Sequence, residues 1–131
     1  HAAMEVARNI LGHHNAAHEE LEPTAAFPVV SRLACSLVER SESIVPVTGS
    51  RFANWYGAPR EEGFHCSFGL NPQYERLLAG AGLAVVARSD AGEPRAIEWE
   101  HARFFVGTLF QPERAALHGE IHPLIRAFLK Q

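Results

Sequence analysis

The stretch that decides the fold is Phe104-Phe-Val-Gly-Thr-Leu-Phe-Gln-Pro-Glu113, a mainly apolar run that ends in a polar triplet. The run is apolar on both faces, which predicts a strand buried at the centre of a sheet. Gln111 and Glu113 then lie at the carboxyl end of that strand. Because ligands bind at the carboxyl ends of strands in open α/β sheets, both are candidate site residues, although a structural role explains them equally well.

Length and composition limit the classes of protein to consider. The 131 residues suit one domain, and 47% hydrophobic with 21% charged residues is ordinary soluble globular composition. No stretch approaches the roughly 20 apolar residues of a membrane helix. The net charge of −3 argues against nucleic acid as the main partner. Two cysteines are too few for a secreted disulfide scaffold, which favours a cytoplasmic location.

Three helices are predicted from periodicity and capping residues. The first covers residues 1–12 and stops at Gly12, and its apolar stripe consists of Met4, Ala7, Ile10 and Leu11. The second has Asn71 as N-cap and Pro72 at its first position, and it ends near Gly80 or Gly82. The third closes the chain over residues 121–130.

Strands interleave with these helices, which indicates an α/β architecture with one sheet flanked by helices. Besides 104–110, strands are predicted over 29–38, 44–48, 64–70, 83–88 and 95–99, with a charged turn at 39–43. Pro46 lacks an N–H group for pairing, so we expect strand 44–48 to lie at an edge.

The start of the chain is helical in character, yet no capping residue precedes it. We therefore expect residues 1–131 to be a fragment, the C-terminal part of a larger domain.

Two local patterns have both a functional and a structural interpretation. His14 and His18 are spaced i, i+4 and Glu19 follows, as in some metal sites, but the segment is polar and a solvated loop explains it more simply. Gly80-Ala-Gly82 lacks the third glycine of a dinucleotide-binding loop and is followed by a strand. Helix-terminating glycines explain that pattern better.

His65 and Cys66 form the third pattern, a base and a thiol side by side. Adjacent residues on a strand point to opposite faces, so the two cannot pair directly. Cys66 is then either a small packed core residue or a thiol activated by another group.

Four segments, in order along the chain, match a known family. They are Glu5-x-Ala-Arg-Asn-Ile10; Asn71 with the later Ala81-Gly-Leu-x-Val85 and Arg88-Ser89; Phe104–Glu113; and Gly119 with His122-Pro-Leu-Ile125. On these motifs the chain resembles the class I glutamine amidotransferase domain of CTP synthase. It is most similar to stand-alone bacterial proteins related to the C-terminal region of that enzyme. The resemblance implies the C-terminal part of a flavodoxin-like domain, with a mainly parallel central sheet flanked by helices.

The family hydrolyses glutamine with a Cys nucleophile, a His that moves the proton and a Glu that orients the His. Carried over residue by residue, the resemblance places the nucleophile elbow upstream of His1, outside residues 1–131. Gln111 occupies the His position, and an amide cannot accept and return a proton near neutral pH. Glu113 occupies the third position of the triad.

The resemblance also implies a set of substrate-binding positions. Glu20 aligns with the glutamate that recognises the amino group of glutamine, and Ser67 replaces the arginine that meets its carboxylate. Cys66 replaces a histidine of the same motif. The resemblance implies neither a metal ion nor a cofactor in this segment.

Three activities follow from these assignments, and a purely structural role stays open beside them. The first is an amidotransferase-like protein without standard glutaminase activity, which acts on or binds another small amide or acid. The alternative is the glutaminase part of a glutamine-hydrolysing CTP synthase that supplies ammonia for UTP amination. The third is a hydrolase whose nucleophile has moved to Cys66.

Expected partners are a small molecule, either glutamine or a related amide or acid, and a synthetase domain or a second copy of the chain. Neither nucleic acid nor a membrane is expected.

Overall fold

Eight short strands form two sheets in the computed structural model, which describes residues 1–131. A three-stranded sheet has the order β1-β2-β5, and a five-stranded sheet has the order β4-β3-β6-β7-β8. The strands are β1 (Ala17–His18), β2 (Pro28–Arg32), β3 (Arg40–Pro46), β4 (Arg60–Phe64), β5 (Phe68–Leu70), β6 (Leu83–Ser89), β7 (Pro94–Trp99) and β8 (Val106–Thr108).

The helices are short. They are α1 (Ala2–Glu5), α2 (Arg51–Tyr56), α3 (Glu75–Gly80) and α4 (Pro123–Phe128), with a π-helical segment (Val6–Ile10) after α1 and 3₁₀ segments at Pro72–Tyr74 and Pro112–His118. The Ser50 hydroxyl accepts a hydrogen bond from the Ala53 N–H at the start of α2. None of the helices combines the length and the apolarity needed to cross a membrane.

The three predicted helices are confirmed, with adjusted bounds. Asn71 Oδ1 accepts a hydrogen bond from the Gln73 N–H (3.1 Å), and Pro72 begins the 3₁₀ turn that leads into α3. Gly12 follows the first helix with a positive φ of 75°, which favours glycine. In the predicted stripe of that helix Met4 and Ala7 are buried, but Ile10 is exposed.

Strand direction differs from the expectation. All neighbours pair antiparallel except β1 and β2, so the predicted mainly parallel sheet is wrong for residues 1–131. The connections explain this, because β6 to β7 and β7 to β8 are joined by short turns, whereas parallel neighbours need a crossover of a dozen or more residues.

The stretch 104–110 is likewise not the centre of a sheet. Only Val106–Thr108 is a strand, and it lies at the edge of the five-stranded sheet. Its large residues are apolar because they pack against different neighbours. Phe104 contacts the rings of Trp55 and Phe128, while Phe110 is buried beside Phe64.

Two further predictions are wrong near the middle of the chain. The strand expected over 64–70 is divided into β4 and β5, which lie in different sheets. The charged turn expected at 39–43 lies mostly in β3, whose residues 40–44 pair with β4. The edge position expected for strand 44–48 is wrong as well, because β3 lies between β4 and β6. Pro46 is tolerated there because β4 pairs only as far as Ile44, so no partner on that side requires its N–H.

Two buried apolar clusters hold the helices against the sheets. The first lies between the five-stranded sheet and helices α2 and α4, and it includes Phe52, Phe64 and Phe110. The second lies where α1, β2 and α3 meet the beginning of β6, and it includes Val29 and Leu83. The ends of β4 and β8 and the segment 65–67 therefore sit against a rigid support.

Candidate functional site

Gln111 directly follows Phe110, which pairs with Phe64 at the end of β4. The 3₁₀ helix 112–118 begins at the next residue. The backbone N–H of Gln111 donates to the Gly63 carbonyl (3.0 Å), which fixes the backbone beside β4. Its side-chain Oε1 accepts a hydrogen bond from Arg114 Nε (2.7 Å). The amide oxygen is therefore held by a cation three residues further along the chain.

Arg114 connects Gln111 to a carboxylate and an imidazole on the surface. Its Nη2 donates to Glu39 Oε1 (3.1 Å), and the same oxygen lies 2.7 Å from His65 Nδ1. Hydrogen bonds from Arg114, and then from His65, lower the pKa of the Glu39 carboxyl group below its usual range. Glu39 thus remains a carboxylate at neutral pH and orients the His65 ring.

Glu113 occupies the first turn of the 3₁₀ helix and is exposed. Its carboxylate makes no hydrogen bond and no ion pair, and no imidazole lies against it. The predicted pair of Gln111 and Glu113 is therefore near in sequence but not joined by any contact between the two side chains.

Cys66 and Ser67 lie in the segment that separates β4 from β5. Cys66 Sγ is half-buried and lies 3.9 Å from the Leu109 carbonyl oxygen. Burial raises the pKa of the Cys66 thiol, which opposes thiolate formation. The Ser67 hydroxyl lies 3.0 Å from that of Ser36, and Ser67 does not share a hydrogen bond with Cys66.

Glu20 lies in the turn after β1 and is exposed. Its backbone N–H donates to His18 Nδ1 (3.2 Å), but its carboxylate makes no side-chain contact. The His18 ring packs against Phe68, with 5.3 Å between the ring centroids. His18 therefore serves the local packing of β1 on β5, and no group of three or more His, Cys, Asp or Glu residues is placed to hold a metal ion.

The predicted residues surround a common cavity without lining it. This cavity of about 300 Å³ lies between the two sheets, and His18, Phe68 and Leu109 are among its lining residues. Each is one or two positions from a predicted site residue, namely Glu20, Ser67 and Gln111. The topology thus brings the three segments to one region, but Gln111 is bound to Arg114, Ser67 lies beside Ser36 and Glu20 is exposed, so none of the three side chains lines the cavity.

A buried polar cluster of Tyr56, Glu62 and His122 was not predicted. The Tyr56 hydroxyl donates to Glu62 Oε1 (2.8 Å), and His122 Nε2 lies 2.7 Å from the same oxygen. His122 Nδ1 accepts from the Leu124 N–H (3.2 Å), so the ring proton lies on Nε2 and is donated to Glu62. Burial and the bond to Glu62 raise the pKa of Tyr56 well above its usual range, which keeps its proton in place.

One sequence signal for part of this cluster was present. His122 directly precedes Pro123, the typical arrangement of an N-cap before a proline at the first helical position. Its contact with Glu62 spans 60 positions and cannot be read from spacing alone.

Comparison with known proteins gives relatives named CTP synthase. No protein-family model matches the chain. The CTP synthase of Caldivirga maquilingensis is 31% identical over 140 residues, covering 98% of this chain and 26% of the relative. The CTP synthase of Chloroflexus aggregans is 30% identical over 139 residues, covering 98% of this chain and 25% of the relative. The chain thus spans about a quarter of the length of these curated relatives.

A solved structure shows the same fold. The Trypanosoma brucei CTPS glutaminase domain with bound acivicin superposes with a TM-score of 0.86, at 23% sequence identity, over 98% of this chain and 54% of that chain. Its similarity confirms the predicted α/β class and the class I amidotransferase fold. The chain is thus similar in sequence to part of CTP synthase and in fold to the CTPS glutaminase domain.

Proposed function

We propose that the protein is a CTP synthase-related, amidotransferase-like protein that lacks standard Cys-His-Glu glutaminase activity in this chain. Its ligand is glutamine or a related small amide or acid. The proposal includes the assignment of residues 1–131 to the C-terminal portion of the domain, with the nucleophile elbow upstream. The observation that supports it most strongly is the state of Gln111, whose Oε1 is bound by Arg114 at 2.7 Å.

The chemistry of the standard reaction requires a group that takes a proton from the thiol and returns it to the leaving ammonia. A carboxamide does neither near neutral pH, because its oxygen is too weak a base and its nitrogen has no free lone pair. At Gln111 the oxygen is also occupied by a guanidinium, which lowers its basicity further. Glu113, left exposed, has no imidazole to orient.

The residues at the substrate-binding positions also support a protein without standard glutaminase activity. Arginine recognises a carboxylate through two parallel charged hydrogen bonds, whereas the Ser67 hydroxyl is neutral and lies beside Ser36. Cys66 is half-buried with a raised pKa, which disfavours the hypothesis that it has become the nucleophile. A ligand other than glutamine is consistent with these changes.

The test is to supply the intact protein with glutamine labelled with ¹⁵N at the side-chain amide and to measure labelled ammonium. We expect no release above that of buffer alone. Release at a rate typical of a working glutaminase would overturn the proposal.

A second candidate function is the glutaminase part of a glutamine-hydrolysing CTP synthase that supplies ammonia for UTP amination. The observation that favours it is the 31% identity to a CTP synthase over nearly the whole chain. It requires an unusual base in place of the imidazole. Transfer of the ¹⁵N label into CTP, with ATP and UTP present, would support this candidate against the first.

A further inference from the structure

A second cavity, of about 280 Å³, opens beside the buried cluster of Tyr56, Glu62 and His122. It is lined by β4 and by the segment around the 3₁₀ helix 112–118, and its volume admits only a small molecule. Ala115 is the one apolar residue in its wall. A ligand for this cavity is therefore polar, since an apolar one would leave charged groups without partners.

Glu62 offers an unused acceptor to this cavity. Its side chain is 8% exposed, and both of its short hydrogen bonds, from Tyr56 and His122, end on Oε1. Oε2 accepts no hydrogen bond from the protein, although Glu62 lines the cavity. No buried side-chain oxygen of the protein lacks a hydrogen-bond partner, so Oε2 is accessible from the cavity and free to accept a charged hydrogen bond from an ammonium group.

Arg60 supplies the complementary group. Its guanidinium makes no hydrogen bond, and its nearest opposite charge is Glu62 Oε1 at 3.9 Å from Nε. In an α-amino acid the ammonium nitrogen and the carboxylate carbon lie only about 2.5 Å apart, as bond lengths and the angle at Cα require. One head group of that size can contact the free sides of Arg60 and Glu62 together.

We propose that this cavity binds the zwitterionic head group of a free α-amino acid, with the ammonium on Glu62 Oε2 and the carboxylate on Arg60. The remaining wall favours the ammonium end, because Glu61 and Glu120 line it while Arg114 is already paired with Glu39. The site is separate from the cavity near His18 and Phe68, and it does not depend on whether the protein hydrolyses glutamine.

The test measures binding of three probes to the intact protein by titration calorimetry: glycine, methylammonium and acetate. Glycine has both charges and no side-chain amide, so its binding is independent of any glutaminase activity. We expect glycine to bind at least ten-fold more tightly than either half-ligand, since each charged contact contributes about that factor or more.

Two variants and a control locate the site. Arg60→Met is expected to weaken glycine binding about ten-fold or more, and it keeps the fold because the Arg60 side chain makes no hydrogen bond and its backbone pairing in β4 is unchanged. Glu62→Gln is expected to abolish binding, with circular dichroism confirming that the variant folds. Arg103→Met, at an exposed arginine outside the cavity, is expected to bind glycine like the wild type. The proposal is overturned if glycine shows no saturable binding, if a half-ligand binds equally well, or if Arg60→Met leaves the affinity unchanged.

Discussion

The buried contact between His122 and Glu62 allows a quantitative prediction about the stability of the fold. His122 is 2% exposed in its side chain, and it makes two hydrogen bonds that no other residue replaces. The bond to the Leu124 N–H is an N-cap, whose loss costs about 1 kcal/mol. The bond to the Glu62 carboxylate involves a charged acceptor, and its loss costs about 1.5–3 kcal/mol. We therefore expect His122→Ala to lower the free energy of unfolding by about 2.5–4 kcal/mol.

Two matched variants separate the contributions. In His122→Asn the side-chain oxygen can still accept from the Leu124 N–H, but the side chain is too short to reach Glu62. It should be about 1 kcal/mol more stable than His122→Ala. Tyr56→Phe keeps the ring against Phe52 and removes only the hydroxyl donated to Glu62, so we expect a loss of about 1–2 kcal/mol.

Urea unfolding followed by tryptophan fluorescence measures these differences. With a slope of about 1.5–2 kcal/mol per molar urea, His122→Ala should lower the midpoint by roughly 2 M. If His122→Ala is within 1 kcal/mol of the wild type, the two hydrogen bonds of His122 do not stabilise the fold as calculated. If His122→Asn is no more stable than His122→Ala, the capping contribution is wrong.

Three further predictions concern other parts of the molecule. A thiol reagent at pH 7 should label exposed Cys35 at least ten-fold faster than half-buried Cys66, whose pKa is raised; comparable rates, assigned with Cys66→Ser, would revive Cys66 as a nucleophile. Arg95→Met should reduce the free energy of unfolding by about 3 kcal/mol in a urea titration, because a guanidinium that is 1% exposed is removed from two carboxylates; a loss under 1 kcal/mol would contradict this. The lowered pKa of Glu39 means that its carboxylate stabilises the fold above its unfolded pKa, and this is lost as the pH falls through the folded value. The difference in melting temperature between the wild type and Glu39→Gln should therefore be present at pH 7 and vanish at acidic pH, and a difference that persists unchanged at pH 3 would count against the Arg114 contact.

The elements that sequence predicted best are those set by local signals. Asn71 and Pro72 start a helix by capping chemistry that involves only neighbouring residues. Strands β6 and β7 are rich in β-branched and apolar residues and are separated by a turn, so their pairing requires only a hairpin.

The errors arose where distant parts of the chain determine the outcome. Phe104 and Phe110 are apolar for different reasons, one packing on Trp55 and Phe128 and the other on Phe64, and this imitates the pattern of a central strand. The break between β4 and β5 depends on backbone hydrogen bonds from residues 33 and 37 to residues 67 and 66, which no local pattern shows.

At the candidate site, too, the local features could be predicted from the sequence and the long-range contacts could not. The amide at position 111 follows directly from the sequence, and so does its failure as a proton carrier. The partner that occupies it, Arg114, lies three positions away on one helical face and was within reach of a spacing argument. The contact of Glu62 with His122 spans 60 positions, so a spacing argument could not have predicted it.

The central claim is that position 111 holds no proton carrier for glutamine hydrolysis. The measurement that tests it most directly is the release of ¹⁵N-ammonium from amide-labelled glutamine by the intact wild type and by its Gln111→Ala variant, side by side. We predict that both rates equal that of buffer alone. A wild-type rate at least ten-fold above that of Gln111→Ala would contradict the claim, because it would make the amide itself part of the catalytic machinery.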